Sequence, residues 1–135
     1  MFEAYSLNKD LTENTAIPFD NVTIQKGCTA VLSGPSTIQF NKCGVYMVGV
    51  DASVTSTDAA DASMQLYKSG VAQPQGQASA SVTAAGTSSL SFITLVQVPT
   101  NNSSCCCAIP TTIQVINTGD AVTYSNVNVV VTKIC

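Results

Sequence analysis

The chain is predicted to be an all-β sandwich of antiparallel strands. Three observations carry that prediction. From residue 17 onward, apolar and polar residues alternate with a period of two rather than at helical spacings of three and four. The alternating stretches are rich in Val, Ile and Thr. Gly, Pro, Asn and Asp punctuate them at short intervals.

Taken in order, residues 1–16 carry Glu3, Lys9, Asp10 and Glu13 with no clear period, and are expected to be an arm or edge segment that docks rather than core. The domain proper is expected over residues 17–135. In "STIQF", Ile38 and Phe40 alternate with Thr37 and Gln39. "GVYMVGVDASVTS" sets Tyr46, Val48, Val50, Ala52 and Val54 on one face. "ASMQLYKSG" does the same with Ala62, Met64 and Leu66. Ala78, Ala80, Val82 and Ala84 form the apolar side of "QASASVTAAG". Alanine favours helices, but the strict alternation here favours strand or loop, as it does in "STDAADASMQ". "TSSLSFITLVQVP", "TTIQVINTG" and "DAVTYSNVNVVVTKI" complete the set.

Two strands are apolar on both faces. Val45 and Met47 oppose Tyr46 and Val48. Near the C-terminus, Val127, Val129 and Val131 oppose Val122, Tyr124, Val130 and Ile134. One face of an antiparallel sheet normally meets water, so the second face needs a cover. Either the N-terminal arm overlies it, or a copy of the chain does.

Composition narrows the function. The chain has 135 residues, enough for one domain with its own core. Only 10% are charged, and no charge falls between Lys68 and Asp120. A net charge of −3 gives no footprint for nucleic acid. No apolar run is long enough to span a membrane as a helix, and the N-terminus has no secretory pattern, which predicts folding in a cytoplasm. Histidine is absent, and with it Ser-His-Asp and Cys-His catalysis. No enzymatic activity, cofactor or resident metal is expected.

Six cysteines remain: Cys28, Cys43, the adjacent Cys105, Cys106 and Cys107, and Cys135. No C-x-x-C occurs, and neighbours on a strand point to opposite faces, so a one-chain zinc site does not fit. A thiolate site shared between subunits through Cys105–Cys107 is a minor alternative. Reactive thiols need a nearby cation, and the nearest charges in sequence, Lys68 and Asp120, are distant. Disulfides within or between chains, or packing as small hydrophobes, are the main readings. Pairing is not legible, because six cysteines allow 15 connectivities. Asp51, Asp58 and Asp61 could hold calcium but match no EF-hand loop, and solvated turns are the simpler reading. Asn21-Val22-Thr23 and Asn102-Ser103-Ser104 are sequons, expected to be ordinary turns.

The order of "STIQFNKCGVYMVGVDASV", "MQLYKSGV" and "TIQVINTGDAVTYSNVNVVV" resembles the jelly roll of the tumour-necrosis-factor and complement globular-head superfamily. It is especially similar to the compact trimeric versions in phage structural proteins and spore-surface collagen-like proteins. The resemblance covers roughly residues 17–135. It implies about ten strands packed as a homotrimer, with the tyrosine-bearing strand and the last strand near the threefold axis. Tyr46, Val48, Tyr124, Val129 and Val131 are then the expected core or trimer contacts. With no collagen-like stalk and with the insert "VPTNNSSCCCAIP", the pattern points to a virion accessory, a capsid decoration protein or head fibre docked on shell protein. The alternative is an adhesion module for a host-surface glycan or protein, although Tyr67 is the only tyrosine near the charge-free stretch that would present such a site.

Overall fold

The computed structural model describes residues 1–27, 30–101, 104–108 and 111–134, with backbone alone for 100, 101 and 104–108. The first sheet contains β1 (Phe2–Leu11), β3 (Asn21–Gln25), β6 (Gly44–Thr55), β9 (Thr87–Val98) and β13 (Val122–Lys133), in the order β3-β1-β13-β6-β9. The second contains β4 (Ala30–Leu32), β5 (Ile38–Phe40), β7 (Ala60–Lys68), β8 (Val71–Val82) and β12 (Thr111–Asn117), in the order β4-β5-β12-β7-β8. The two-residue β2 (Thr15–Ala16) adds to β12. A separate hairpin pairs β10 (Thr100–Asn101) with β11 (Ser104–Ala108). Every pairing is antiparallel. The chain crosses between the sheets repeatedly, at β1–β2, β2–β3, β3–β4, β5–β6, β6–β7, β8–β9 and β12–β13. Among the described residues, no helix is long and apolar enough to cross a membrane.

The alternating residues face inward as expected. Tyr46, Val48, Val50, Ala52 and Val54 of β6 meet Ala62, Met64 and Leu66 of β7 in one core, with Ile113 and Val115 of β12. Burying side chains of this size is worth roughly 1.5–3 kcal/mol each. Ser69 and Gly70 both have positive φ (49° and 83°) and form the two-residue turn joining β7 to β8. That left-handed pair matches the twist of the strands it connects. Pro74 sits where β8 bulges away from β7, on an edge strand that tolerates a missing donor.

Two expectations need correction. Residues 2–11 are not peripheral. They form an in-plane strand between β3 and β13, with Phe2 and Ala4 in the core. The alternation Phe2, Ala4, Ser6 breaks at Asn8, whose φ of 53° interrupts the phase. The second correction concerns β13. Its register against β6 slips between Tyr124 and Asn126, where Ser125 is an extra residue. This bulge reverses the phase, so Val122 and Tyr124 face inward together with Val127, Val129 and Val131. Only Val130 and Ile134 remain on the other side. Asn8 lies level with Ser125, because β1 and β13 keep one register throughout. The two strands therefore carry matched extra residues, and the Ser125 hydroxyl donates to the Ser53 carbonyl at 3.0 Å.

Candidate functional site

The outer face of the five-stranded sheet is the most distinctive surface. On β9, Phe92, Val96 and Val98 point inward and are buried, which forces Ile93 and Leu95 outward. They are 72% and 54% exposed. Across the ladder, Leu95 faces Met47, and Ile93 faces Gly49. On the other flank of β6, Val130 of β13 also faces Gly49. Gly49 has no side chain to fill the middle, and a Cβ there would come no nearer than 3.7 Å to Ile93. The result is a depression of about 490 Å³ lined by Met47, Gly49, Ile93 and Val130.

One border of the depression is polar. Asp51 faces Ser91 on β9 and Asn128 on β13. The Asn128 amide donates to Glu3 at 3.5 Å, and the Thr23 hydroxyl donates to the other Glu3 oxygen at 2.8 Å. Glu3 is thus held, whereas Asp51 is exposed and receives no such donor among the described residues. β1 lies beside β13 in the plane of the sheet, so the N-terminal segment does not cover this face. Of the two covers foreseen for it, the arm is ruled out.

The outer face of the six-stranded sheet is different. Gln114 stands opposite Tyr67, Gln65 opposite Gln77, and Ser63 opposite Ser79. These groups bond locally: Gln114 donates to the Thr37 hydroxyl at 3.1 Å, Gln65 to the Gln73 carbonyl at 3.3 Å, and Ser63 shares a 2.8 Å bond with Thr118.

Between the sheets, one polar network joins the layers. Asn117 of β12 is buried, and its amide donates to the carbonyls of Thr12 (3.0 Å), Asp120 (3.2 Å) and Leu11 (3.4 Å). Its carbonyl oxygen accepts from the Tyr124 hydroxyl at 3.1 Å. Burial holds the Tyr124 hydroxyl far above the usual tyrosine range. The Gly119-Asp120 turn closes this end: Thr118 and Asp120 donate to Ser63 and Asp61, and the Asp61 N–H returns a bond to the Asp120 carboxylate at 2.9 Å. A Cβ on Gly119 would collide with the Asp61 carbonyl and stand 2.6 Å from the Ser63 nitrogen, so only glycine fits.

The residues expected at core or trimer contacts, Tyr46, Val48, Tyr124, Val129 and Val131, are all buried within the single chain. Tyr46 stacks on Phe40 with ring centroids 4.4 Å apart and donates to the Lys42 carbonyl at 2.7 Å. Burial, then the neighbouring Cys43, raises its pKa. The apolar side chains left on the outer face are instead Met47, Ile93, Leu95 and the half-buried Val130. Ile93 and Leu95 escaped the sequence reading, although "FITLV" carried the signal: five residues with an apolar member on both phases.

Of the cysteines, Cys43 is half-buried in the β5–β6 connection. Cys28 and Cys135 lie outside the described residues, as do the side chains of Cys105, Cys106 and Cys107. Asp51, Asp58 and Asp61 are not brought together, and no group of three candidate metal ligands occurs among the described residues. Asn21-Val22-Thr23 is an edge strand rather than a turn, its Thr23 hydroxyl committed to Glu3, while Asn102 and Ser103 are outside the described residues.

No family model matches the chain, and no curated protein matches its sequence. Solved structures do match its fold. The globular domain of zebrafish complement 1qA superposes with a TM-score of 0.70 at 8% identity, covering 99% of this chain and 96% of that one. Eiger TNF from S. frugiperda gives 0.61 at 14% identity, covering 99% and 93%. The PRD1 vertex protein P5 gives 0.55 at 13%, covering 99% and 96%. The chain therefore has the jelly-roll fold of complement globular heads and tumour-necrosis-factor-like proteins.

Proposed function

We propose that the chain is a structural subunit that assembles as a homotrimer through the outer face of the five-stranded sheet, and that the trimer is a virion accessory, a capsid decoration or head-fibre protein. The observation that carries the assembly is the apolar outer face of Met47, Ile93, Leu95 and Val130, with its depression at Gly49, left uncovered by the described residues. Exposed apolar area of this kind on a soluble domain is normally covered by a partner. A rotationally closed set of copies covers it without leaving an open edge that would grow into fibres. The resemblance to trimeric jelly rolls favours three copies. The likeness to a phage vertex protein supports the virion role and shell protein as the docking partner.

Native mass by light scattering tests the assembly: three chains are expected, and one chain would sink it. The virion role is tested separately. Particles lacking the protein should take it up and resist heat better, and unchanged heat resistance would overturn the capsid-clamp version.

A second reading, adhesion to a host-surface glycan or protein, is favoured by the amide- and hydroxyl-rich face around Tyr67, Gln65 and Gln114. A glycan array without hits above background would count against the glycan form.

A further inference from the structure

The charged side chains are sorted along the strands. At the end where β6 starts stand Lys26, Lys42, Lys68 and Lys133, four of the five lysines. Lys133 pairs with Tyr46 and Lys68 with Ile113, so each continues the inward phase of its strand past the last buried residue, Val131 or Leu66. Both therefore leave the core at that end. Lys42 lies in the connection from β5 to β6, and the Lys26 N–H donates to the Met1 carbonyl at 2.9 Å. At the opposite end stand Asp10, Glu13, Asp58, Asp61 and Asp120, five of the eight acids, with no lysine among them. Between the ends, Lys9 and Asp20 neutralise each other at 2.7 Å, and Glu3 and Asp51 lie on the outer face of the five-stranded sheet. The residues outside the described set carry no charged side chain, so they leave this division unchanged.

Exposed apolar side chains follow the lysines. Met1, Val71 and Ile134 are 51%, 63% and 53% exposed at the lysine end. None of the exposed large hydrophobics among the described residues lies in the turns of the acidic end. The 12 residues of β6 span roughly 40 Å, several times the Debye length of about 8 Å in physiological salt. Each end therefore acts with its own charge rather than with the net charge of −3. We propose, on the reading that the chain docks on a shell, that the lysine end is the docking end and that its partner is an acidic patch on a folded protein. Met1, Val71 and Ile134 supply apolar contacts inside a rim of lysines. Apolar area left in water favours a cover, and the lysine rim selects carboxylates and steers the approach. The acidic end, without such apolar area, stays in solvent. Nucleic acid and membrane fit less well. With no arginine there is no bidentate fork for phosphate. The four lysines also come from four separate segments, not from the continuous basic cluster that anionic lipid attracts.

The test has two arms, both with the intact chain. In the first, polyglutamate fixed to a sensor surface is the probe for an acidic protein patch. At low salt the chain should be retained despite its net negative charge, and released as salt rises. Lys26→Glu with Lys133→Glu should weaken retention roughly 30-fold or more, and Lys42→Glu alone, in a connection rather than a strand, about 5-fold. Glu13→Gln with Asp58→Asn at the other end should change it by less than about 3-fold. A chain that is not retained, or lysine variants that bind as the wild type does, overturns the lysine end as the binding surface. Stronger retention on phosphatidylserine vesicles or on duplex DNA overturns the choice of a protein partner. In the second arm, particles lacking the protein should take up the wild type and the acidic-end variant but not the doubly changed lysine variant. Uptake of all three overturns docking by this end and leaves the virion role standing. Uptake of none overturns the virion role, while the first arm still decides the chemistry of the end. Circular dichroism and native mass should be the same for every form, so neither misfolding nor loss of the trimer can pass for loss of docking.

Discussion

On the five-stranded sheet the outward positions of three neighbouring strands are Ile93 and Leu95, then Met47 and Gly49, then Val130. On the six-stranded sheet the corresponding positions are Gln77 and Ser79, then Gln65 and Ser63, then Gln114. Both faces grow from the same two-residue alternation over one shared core, so the fold does not dictate the difference. An amide face satisfies its own hydrogen-bonding groups and is stable in water. The apolar face gains nothing from water and gains from a partner. On the proposed assembly, one face is covered by a neighbouring copy and the other stays wet.

The largest expected effect breaks that contrast directly. Ile93→Asp puts a carboxylate where a neighbouring copy would have to desolvate it, and association should weaken by roughly 100-fold or more. Light scattering should then report single chains with an unchanged circular dichroism spectrum. Gln77→Asp on the other face should leave the mass unaltered. If both variants behave alike, the two faces are not functionally distinct.

Next in size is Asn117→Ala, which removes the donor to three backbone carbonyls and the nearer acceptor of the Tyr124 hydroxyl, leaving it only the Ser63 carbonyl at 3.4 Å. Stability should fall by about 2–4 kcal/mol in denaturant titrations. Because this network bridges the layers, both faces should lose their order in a single transition. Two separate transitions would mean that the sheets fold independently.

Alkaline unfolding probes the same bridge. The folded state holds Tyr124 neutral with its pKa raised, while the unfolded tyrosine titrates near its ordinary value of 10. Stability from this group is therefore complete below pH 10 and declines as pH rises beyond it. In Tyr124→Phe that part of the decline should disappear.

Asp51→Asn refines the map of the covered face. It removes an exposed carboxylate that no described donor holds, and assembly at neutral pH should tighten about 5-fold, by roughly 1 kcal/mol. Weaker assembly would place Asp51 against a cation of the neighbouring copy.

The smallest effect concerns Ser6, whose hydroxyl is buried on the inner face of the five-stranded sheet without a hydrogen-bond partner among the described residues. Ser6→Ala should be neutral or stabilise by up to about 1–2 kcal/mol. A loss of that size would reveal a partner such as buried water.

Strands with unbroken phase were legible from sequence. In β6 and β7 every inward residue from Tyr46 to Val54 and from Ala62 to Leu66 follows one count of two. The turn glycines were legible too, since Gly70 and Gly119 punctuate hydrophobic runs. Phase breaks were not. A count that assumes constant period places Val122 and Tyr124 on the wrong side of β13, because nothing in "TYSNVN" announces that Ser125 is extra. The same break at Asn8 disguised β1 as an arm. The apolar face was half legible: Met47 and Val130 stood out, but Ile93 and Leu95 lay unremarked in a run read simply as a strand. Burial on a particular face follows from which strands are neighbours, and that pairing depends on residues far apart in the chain.

The matched extra residues Asn8 and Ser125 have a consequence for how such a chain can vary. Deleting either alone would throw one strand out of step with its neighbour and turn half of its inward side chains toward solvent. Deleting both keeps β1 and β13 in step with each other and realigns the pair with β6. The two positions are expected to behave as mutual suppressors: each loss harmful singly, tolerated together, and therefore gained or lost in lineages only as a couple.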